Sequence, residues 1–302
     1  MKLIINIFIF LLPFSILGQE YGGLRASGLE KHSVQNYTGA IKDYNTALKS
    51  NPVSAQLYTE RGSSRLQLGD KSGATIDFIR ALKIDSNYAD AYFKLGNIAY
   101  SARKYQNAIT HYGHVLRINS NNAKAYFNRA NSKYALGEFD SALEDLNRAI
   151  LLNSDHSHAY KNRASILYKT GQYVVAIADY NKVLEKNPNN ASAYFYRAHS
   201  KQKTNNLEGA IKDYTNAVNI NRRYSKAYLN RAIARYEIEL FKHTIADCNK
   251  VLTLKPNNKE ALFYRGKSKI KIGKIASACS DLRKAGELGK KEAFKVITSR
   301  CK

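Results

Sequence analysis

A period of 34 residues runs through the chain without a slip, and no other feature constrains the fold as tightly. Ala-Tyr-Phe-Asn-Arg-Ala at 125–130 returns as Ala-Tyr-Lys-Asn-Arg-Ala at 159–164 and Ala-Tyr-Phe-Tyr-Arg-Ala at 193–198. One column of the repeat reads Leu24, Tyr58, Tyr92, Tyr126, Tyr160, Tyr194, Tyr228, Leu262. Four residues on, every unit has Gly or Ala: Gly28, Gly62, Gly96, Ala130, Ala164, Ala198, Ala232, Gly266. Ala40, Ala74, Ala108, Ala142, Ala176, Ala210, Thr244 and Ala278 form a third column, followed by Tyr44, Phe78, Tyr112, Leu146, Tyr180, Tyr214, Cys248 and Leu282. A unit this short cannot bury its apolar face alone, so the units must stack.

Each unit carries two apolar stripes of helical period, broken at Gly69, Gly137, Gly171 or Gly273. Pro52, Pro188 and Pro256 fall where a second helix should stop. The unit is therefore an antiparallel helix pair in which the small columns let two backbones approach. Units start near 21, 55, 89, 123, 157, 191, 225 and 259, and the array spans 19–292. Residues 293–302 read as a capping helix whose Ala293, Val296 and Ile297 cover the open end of the stack.

These columns resemble the tetratricopeptide repeat, a 34-residue helix-turn-helix with aromatic, Gly/Ala, Ala, aromatic and Pro at these spacings. The likeness covers about residues 21–292; it departs in having no Trp, Thr244 in the Ala column and Pro in three units. It implies an all-α, right-handed α-solenoid of eight repeats whose first helices line a concave, partner-binding groove. Members that capture chaperone tails use Lys and Asn one turn apart, then Asn, then Lys and Arg over successive units. Here Lys161 is followed by Ser165, and Asn97 and Asn131 are preceded by Phe93 and Phe127. Asn128, Asn162 and Asn230 match the middle position, but no unit supplies the Lys and Arg pair, so tail capture is disfavoured.

The start of the chain reads as an address. Met1-Lys2 precedes a run of apolar residues from Leu3 to Leu12, and Gly18-Gln19 makes a small-to-polar boundary. That is the form of a secretory signal over 1–18, cleaved after Gly18. The run is shorter than the roughly 20 residues that span a bilayer, and no later segment is long enough. The expected location is outside the cytoplasm: periplasmic, envelope-associated or secreted. Disulfides persist there, and Cys279 with Cys301 would staple the cap. The alternative is a packed Cys279 beside a free Cys301. Cys248, in an aromatic column, reads as a buried thiol.

Two polar columns also repeat. Arg61, Arg129, Arg163, Arg197, Arg231 and Arg265 precede by sixteen residues Asp77, Asp145, Asp179, Asp213, Asp247 and Asp281. Asp43 lacks its Arg, and one unit has Leu95 and His111 instead of either. The spacing predicts an Arg–Asp bridge within each helix pair, against the alternative of an Arg ladder gripping an anion. A further basic column, Lys31, Arg65, Lys133, Lys201, Arg235 and Lys269, is expected to be a solvated edge.

The columns that the resemblance places on the concave face carry the candidate site. Asn97, Tyr100, Phe127, Asn131, Tyr134 and Tyr168 offer amides for an extended backbone and rings for side chains. Lys161, Lys169, His199, Lys203, Lys226, Lys267 and Lys271 make a basic stretch suited to carboxylates. No Gly-rich phosphate loop, Cys-x-x-Cys or His-Glu-x-x-His occurs. His111 with His114, and His156 with His158, are at most weak metal pairs. No enzyme activity, cofactor or metal is expected. The net charge of +24 is uneven: residues 21–156 hold 17 Lys+Arg and 12 Asp+Glu, and 157–302 hold 30 and 11. The reading is an exported interaction scaffold for an acidic protein or peptide, met by the basic half. The alternative is a polyanion binder, an acidic glycan or nucleic acid, although no nucleic-acid motif accompanies the charge. Oligomeric state is left open.

Overall fold

The computed structural model describes residues 12–301, with side chains from Tyr21 onward. The leader expected at 1–18 falls largely outside them. The described residues form seventeen helices in consecutive hairpins and no strand. Two compact units divide them after Ser154. The first contains α1 (Leu12–Ser33), α2 (Tyr37–Ser50), α3 (Ala55–Gln67), α4 (Lys71–Ile84), α5 (Ala89–Ser101), α6 (Tyr105–Ile118), α7 (Ala123–Leu136) and α8 (Phe139–Leu152). The second contains α9 (Ser157–Lys169), α10 (Tyr173–Lys186), α11 (Ala191–Lys203), α12 (Leu207–Ile220), α13 (Ser225–Glu237), α14 (Phe241–Leu254), α15 (Lys259–Lys271), α16 (Ile275–Glu287) and α17 (Glu292–Arg300). Within each unit a helix packs on its hairpin partner and on the next helix in the chain, the arrangement of an all-α solenoid.

The packing follows the columns. Tyr44, Phe78, Tyr112 and Leu146 in the first unit, and Tyr180, Tyr214, Cys248 and Leu282 in the second, are all but sealed from water. Opposite them stand the small residues. A Cβ on Gly96 would lie 2.6 Å from the Tyr112 ring, so the ring occupies the space a side chain would need. Where Ala replaces Gly, as at Ala130 and Ala198, burial is still essentially complete. Burial pushes the Cys248 thiol up to about 12, which keeps it protonated and inert.

Every hairpin turns through one left-handed residue, and these residues are themselves 34 apart. Gly69, Gly137, Gly171 and Gly273 have φ of 79–83°. Gln35, Arg103, Asn205 and Glu239 adopt φ of 58–64° at the same place. The glycine breaks seen in the sequence thus mark half of the turns. Side chains of Asn36, Asp70 and Asn206 cap the second helices by accepting from the backbone N–H three residues on, as Ser54, Asn122, Asn190 and Asn258 cap first helices.

The Arg–Asp columns lock hairpins together. Arg129 donates from Nε and Nη2 to Asp145 at 2.8 and 2.6 Å, and the other five pairs repeat this two-pronged geometry. Where a Tyr stands three residues earlier the guanidinium lies over its ring, as Arg197 does over Tyr194 at 5.3 Å. Its third nitrogen reaches back to the preceding second helix: Arg61 to Asn45, Arg197 to Asn181, Arg231 to Thr215 and Arg265 to Asn249. One such Arg therefore ties three helices.

The further basic column is not a solvated edge. Lys31, Arg65, Lys133, Lys201, Arg235 and Lys269 each bind the Asp of their own hairpin at 2.6–2.9 Å. A carboxylate this deeply buried is stabilised by each cation that reaches it, and the second lies one turn beyond the first on the same helix. Asp43, without an Arg, is held by Ser27 and Lys31. Burial pushes its carboxyl up, but these hydrogen bonds outweigh that and hold it below the ordinary carboxylate value.

Cys279 and Cys301 are bonded to each other, with their Cα atoms 5.8 Å apart. The bond pins the end of α17 to α16. Ala293 is buried in one cluster with Leu282 and Ala285, and Val296 and Ile297 pack against that cluster.

Candidate functional site

The expected site residues sort into two faces, one in each unit. In the first unit, Asn97 and Tyr100 of α5 and Asn131 of α7 line one cleft of about 180 Å³, together with Tyr112 and Asn128. The Asn97 side-chain carbonyl accepts from the Tyr112 hydroxyl at 2.8 Å and from the Asn128 amide at 3.1 Å. That fixes the orientation of the Asn97 amide. Tyr100, exposed at the lip, leans on Tyr105. Phe127 and Tyr134 do not line this cleft; Tyr134 packs against Phe139. A second cleft, about 430 Å³, opens beside Phe93 between Asp90, Lys94 and Lys124.

In the second unit Tyr168 is the hub. Its hydroxyl meets His199 Nδ1 at 3.1 Å, and its ring stands edge-on to Tyr196 and Tyr173. Tyr196 stacks on Tyr180, and Phe195 lies 5.0 Å from Tyr224. Burial, with Lys203 close by, pushes the His199 imidazole down, so His199 enters this face as a neutral hydrogen-bonding group and not as a cation. Lys267 is likewise withdrawn. Its ammonium sits 4.5, 5.2 and 5.8 Å from the rings of Tyr236, Phe263 and Tyr264, a site where cation–π attraction holds it.

Five exposed lysines remain from the expected set. Lys169, Lys203 and Lys271 occupy the last positions of α9, α11 and α15, whereas Lys161 and Lys226 stand near the first turns of α9 and α13. At about 1.5 Å per residue the two groups lie more than about 10 Å apart along the helix axis. Glu237 fills the α13 position of the first row. The basic stretch is thus two short rows.

The expected site set leaves out Tyr112, read as packing, and Asn128, Tyr196 and Tyr264. A signal for the last three exists: side chains that touch across neighbouring first helices are 31 residues apart, as Asn97–Asn128, Tyr168–His199 and Tyr236–Lys267 are, or 28 apart, as Tyr168–Tyr196 and Tyr236–Tyr264 are. These spacings are one period less one or two turns. Among the described residues no three His, Cys, Asp or Glu side chains are placed to hold a metal, and no described helix is long and apolar enough to cross a membrane.

Hairpins of one length stacked by repeated ion clusters, with amides and rings on the first-helix faces, define a helical-repeat binding protein. Residues 28–89 and 127–191 match the tetratricopeptide repeat family, with further repeat matches at 96–137 and 179–212. Over these residues the chain is built of tetratricopeptide repeats, which generally mediate protein–protein interaction and are typically not enzymes. Among solved structures, the C-terminal part of a TPR repeat-containing protein from Cytophaga hutchinsonii is similar, with a TM-score of 0.64 at 18% identity, over 78% of this chain and 97% of that one. A tetratricopeptide repeat protein from Parabacteroides merdae gives 0.54 at 22%, over 82% and 99%. YrrB, described as a TPR protein with an unusual peptide-binding site, gives 0.57 at 23%, over 61% and 95%. At these identities the likeness is one of fold. No curated protein matches the sequence.

Proposed function

We propose that the protein is an exported interaction scaffold of eight repeats that binds an extended segment of a partner protein along its first-helix faces. The observation that carries this reading is the cleft bounded by Asn97, Asn128 and Asn131. Carboxamides both donate and accept, so they suit the backbone of an extended chain, while Tyr100 at the lip offers a ring to its side chains. In the second unit, Lys169, Lys203 and Lys271 favour acidic side chains, and the uneven charge of the chain raises the encounter rate with an acidic partner.

The test is a panel of extended acidic and neutral peptides, selected by display on the purified chain and measured by fluorescence anisotropy. Asn97→Ala with Asn128→Ala should weaken binding by about tenfold or more, the worth of a lost pair of hydrogen bonds. Lys169→Glu with Lys203→Glu and Lys271→Glu should reverse the preference for acidic peptides. Selected peptides that bind both variants unchanged would overturn the reading. Export is tested by fusing residues 1–20 to a reporter active only outside the cytoplasm; a silent fusion removes the leader.

A further inference from the structure

Phe294 is a large apolar side chain with no place in the core. It is 53% exposed, in the first turn of α17. Its ring lies across Gly286 of α16, where an added Cβ would come within 2.8 Å of it. One side of the ring is thus seated on backbone and the other is bare. Cations stand near it along both helices. Lys291, the N-cap of α17, lies one turn earlier and Lys295 follows directly, while Arg283 lies one turn before Gly286 on the same side of α16. All three are exposed. The acidic residues nearby are Glu287, which is exposed, and Glu292, which is engaged by Lys290 at 3.4 Å.

The platform that presents them is fixed on three sides. Lys290 reaches back to Glu260 at 3.0 Å, Ala293 is buried in the core with Val296 and Ile297 beside it, and Cys301 is bonded to Cys279. A ring held out from so firm a frame is not the loose end of a frayed helix.

We propose that this face of α16 and α17 docks on an anionic phospholipid bilayer, with Phe294 entering the interface and Arg283, Lys291 and Lys295 over the headgroups. The cations alone would suit any polyanion. The bare ring among them gains free energy only where apolar area leaves water beside negative charge, and a bilayer surface supplies both. A soluble polyanion would satisfy the lysines and leave the ring wet. The excess of 30 Lys+Arg over 11 Asp+Glu in residues 157–302 adds the longer-range attraction. This face is carried by α16 and α17 and not by a first helix.

The test is co-sedimentation of the purified full chain with phosphatidylcholine vesicles, with and without phosphatidylglycerol. The apolar run at 3–12 contributes alike to every variant, so differences between variants are the readout. Recovery should require phosphatidylglycerol and fall with added salt. Phe294→Ala should weaken it about tenfold, as expected for one buried aromatic ring. Lys291→Glu with Lys295→Glu should abolish it, and the two Lys→Arg changes should preserve it. All these positions are exposed, and an unchanged melting temperature checks that each variant folds. Lys169→Glu with Lys203→Glu and Lys271→Glu should weaken vesicle binding far less than Lys291→Glu with Lys295→Glu does, the loss being only that of screened long-range attraction, which separates this proposal from the peptide reading. Indifference to phosphatidylglycerol overturns it, as does recovery unchanged by Phe294→Ala. Equal capture on heparin with no effect of Phe294→Ala would assign the patch to soluble polyanions instead.

Discussion

Asp213 is 1% exposed and receives Arg197 and Lys201 at 2.6 and 2.8 Å. Neutralising it leaves two cations in a site that excludes water, so Asp213→Asn should cost about 2–3 kcal/mol, read as a shift in the urea midpoint. Asp179 offers a comparison within the same molecule. It is bound by Arg163, but Leu167 stands where other hairpins have the second cation. Asp179→Asn should therefore cost less than Asp213→Asn, and equal costs would show that the second cation contributes little. Protonation of histidines acts at the same scale. Burial pushes His111 down, with His114 adding to it, and burial pushes His199 down, with Lys203 adding to it. Between the lowered folded value and the ordinary value near 6.5, the unfolded chain holds more protons than the folded one. Stability from these groups is therefore full above about pH 6.5 and is lost as the pH falls below it. The melting temperature should drop between about pH 7 and pH 5, and His111→Asn with His199→Gln should flatten the drop. A double variant with the same pH profile as the parent would exclude these two residues as its source.

At the scale of the hairpin, the left-handed turn is the conformation that the chain least readily hides. Arg103 and Glu239 adopt φ of 58° and 60° where other hairpins have Gly. A non-glycine residue held there is strained by about 1 kcal/mol, part of which the greater freedom of unfolded Gly gives back. Arg103→Gly and Glu239→Gly should each raise stability by up to about 1 kcal/mol, and a lowered melting temperature in both would mean that those side chains stabilise the turn by contacts of their own. These turns also show how far the sequence carries. The helix pairs, the small columns and the Arg–Asp pairing are legible because each recurs at 34 residues and each rests on steric or charge complementarity within one hairpin. The second cation of each cluster reads as solvated, because a Lys on the edge of a helix looks the same in sequence whether it faces water or a carboxylate twelve residues on. Three site residues, Asn128, Tyr196 and Tyr264, escape for a different reason. Contacts between neighbouring first helices follow 31 and 28 residues, since adjacent hairpins are offset by one or two turns, and a search in phase at 34 passes over Asn128 and Tyr196.

Across the whole chain, charge and covalent closure meet in the second unit. Its basic residues divide into those consumed by structure, such as Arg231 and Arg235 on Asp247, those withdrawn among rings, such as Lys267, and those left on the surface. The surface set is dense around α16 and α17, which the Cys279–Cys301 bond joins. That bond closes a loop of 22 residues, and constraining such a loop is worth about 3 kcal/mol in the unfolded chain. In an array where each hairpin rests on its neighbours, the effect of losing it should be local. Reduction, or Cys279→Ser with Cys301→Ser, should raise amide exchange in α15, α16 and α17 and leave α1 to α8 as they were, when followed by hydrogen exchange and mass spectrometry. The unfolded, unreduced chain should titrate one thiol, that of Cys248. Three thiols would remove the staple. Exchange rising equally along the whole chain would instead mean that the bond supports a cooperative unit far larger than the cap. If exchange rises only in the cap while vesicle binding also falls, the frame and the exposed ring of Phe294 are coupled, as a surface built on α17 requires.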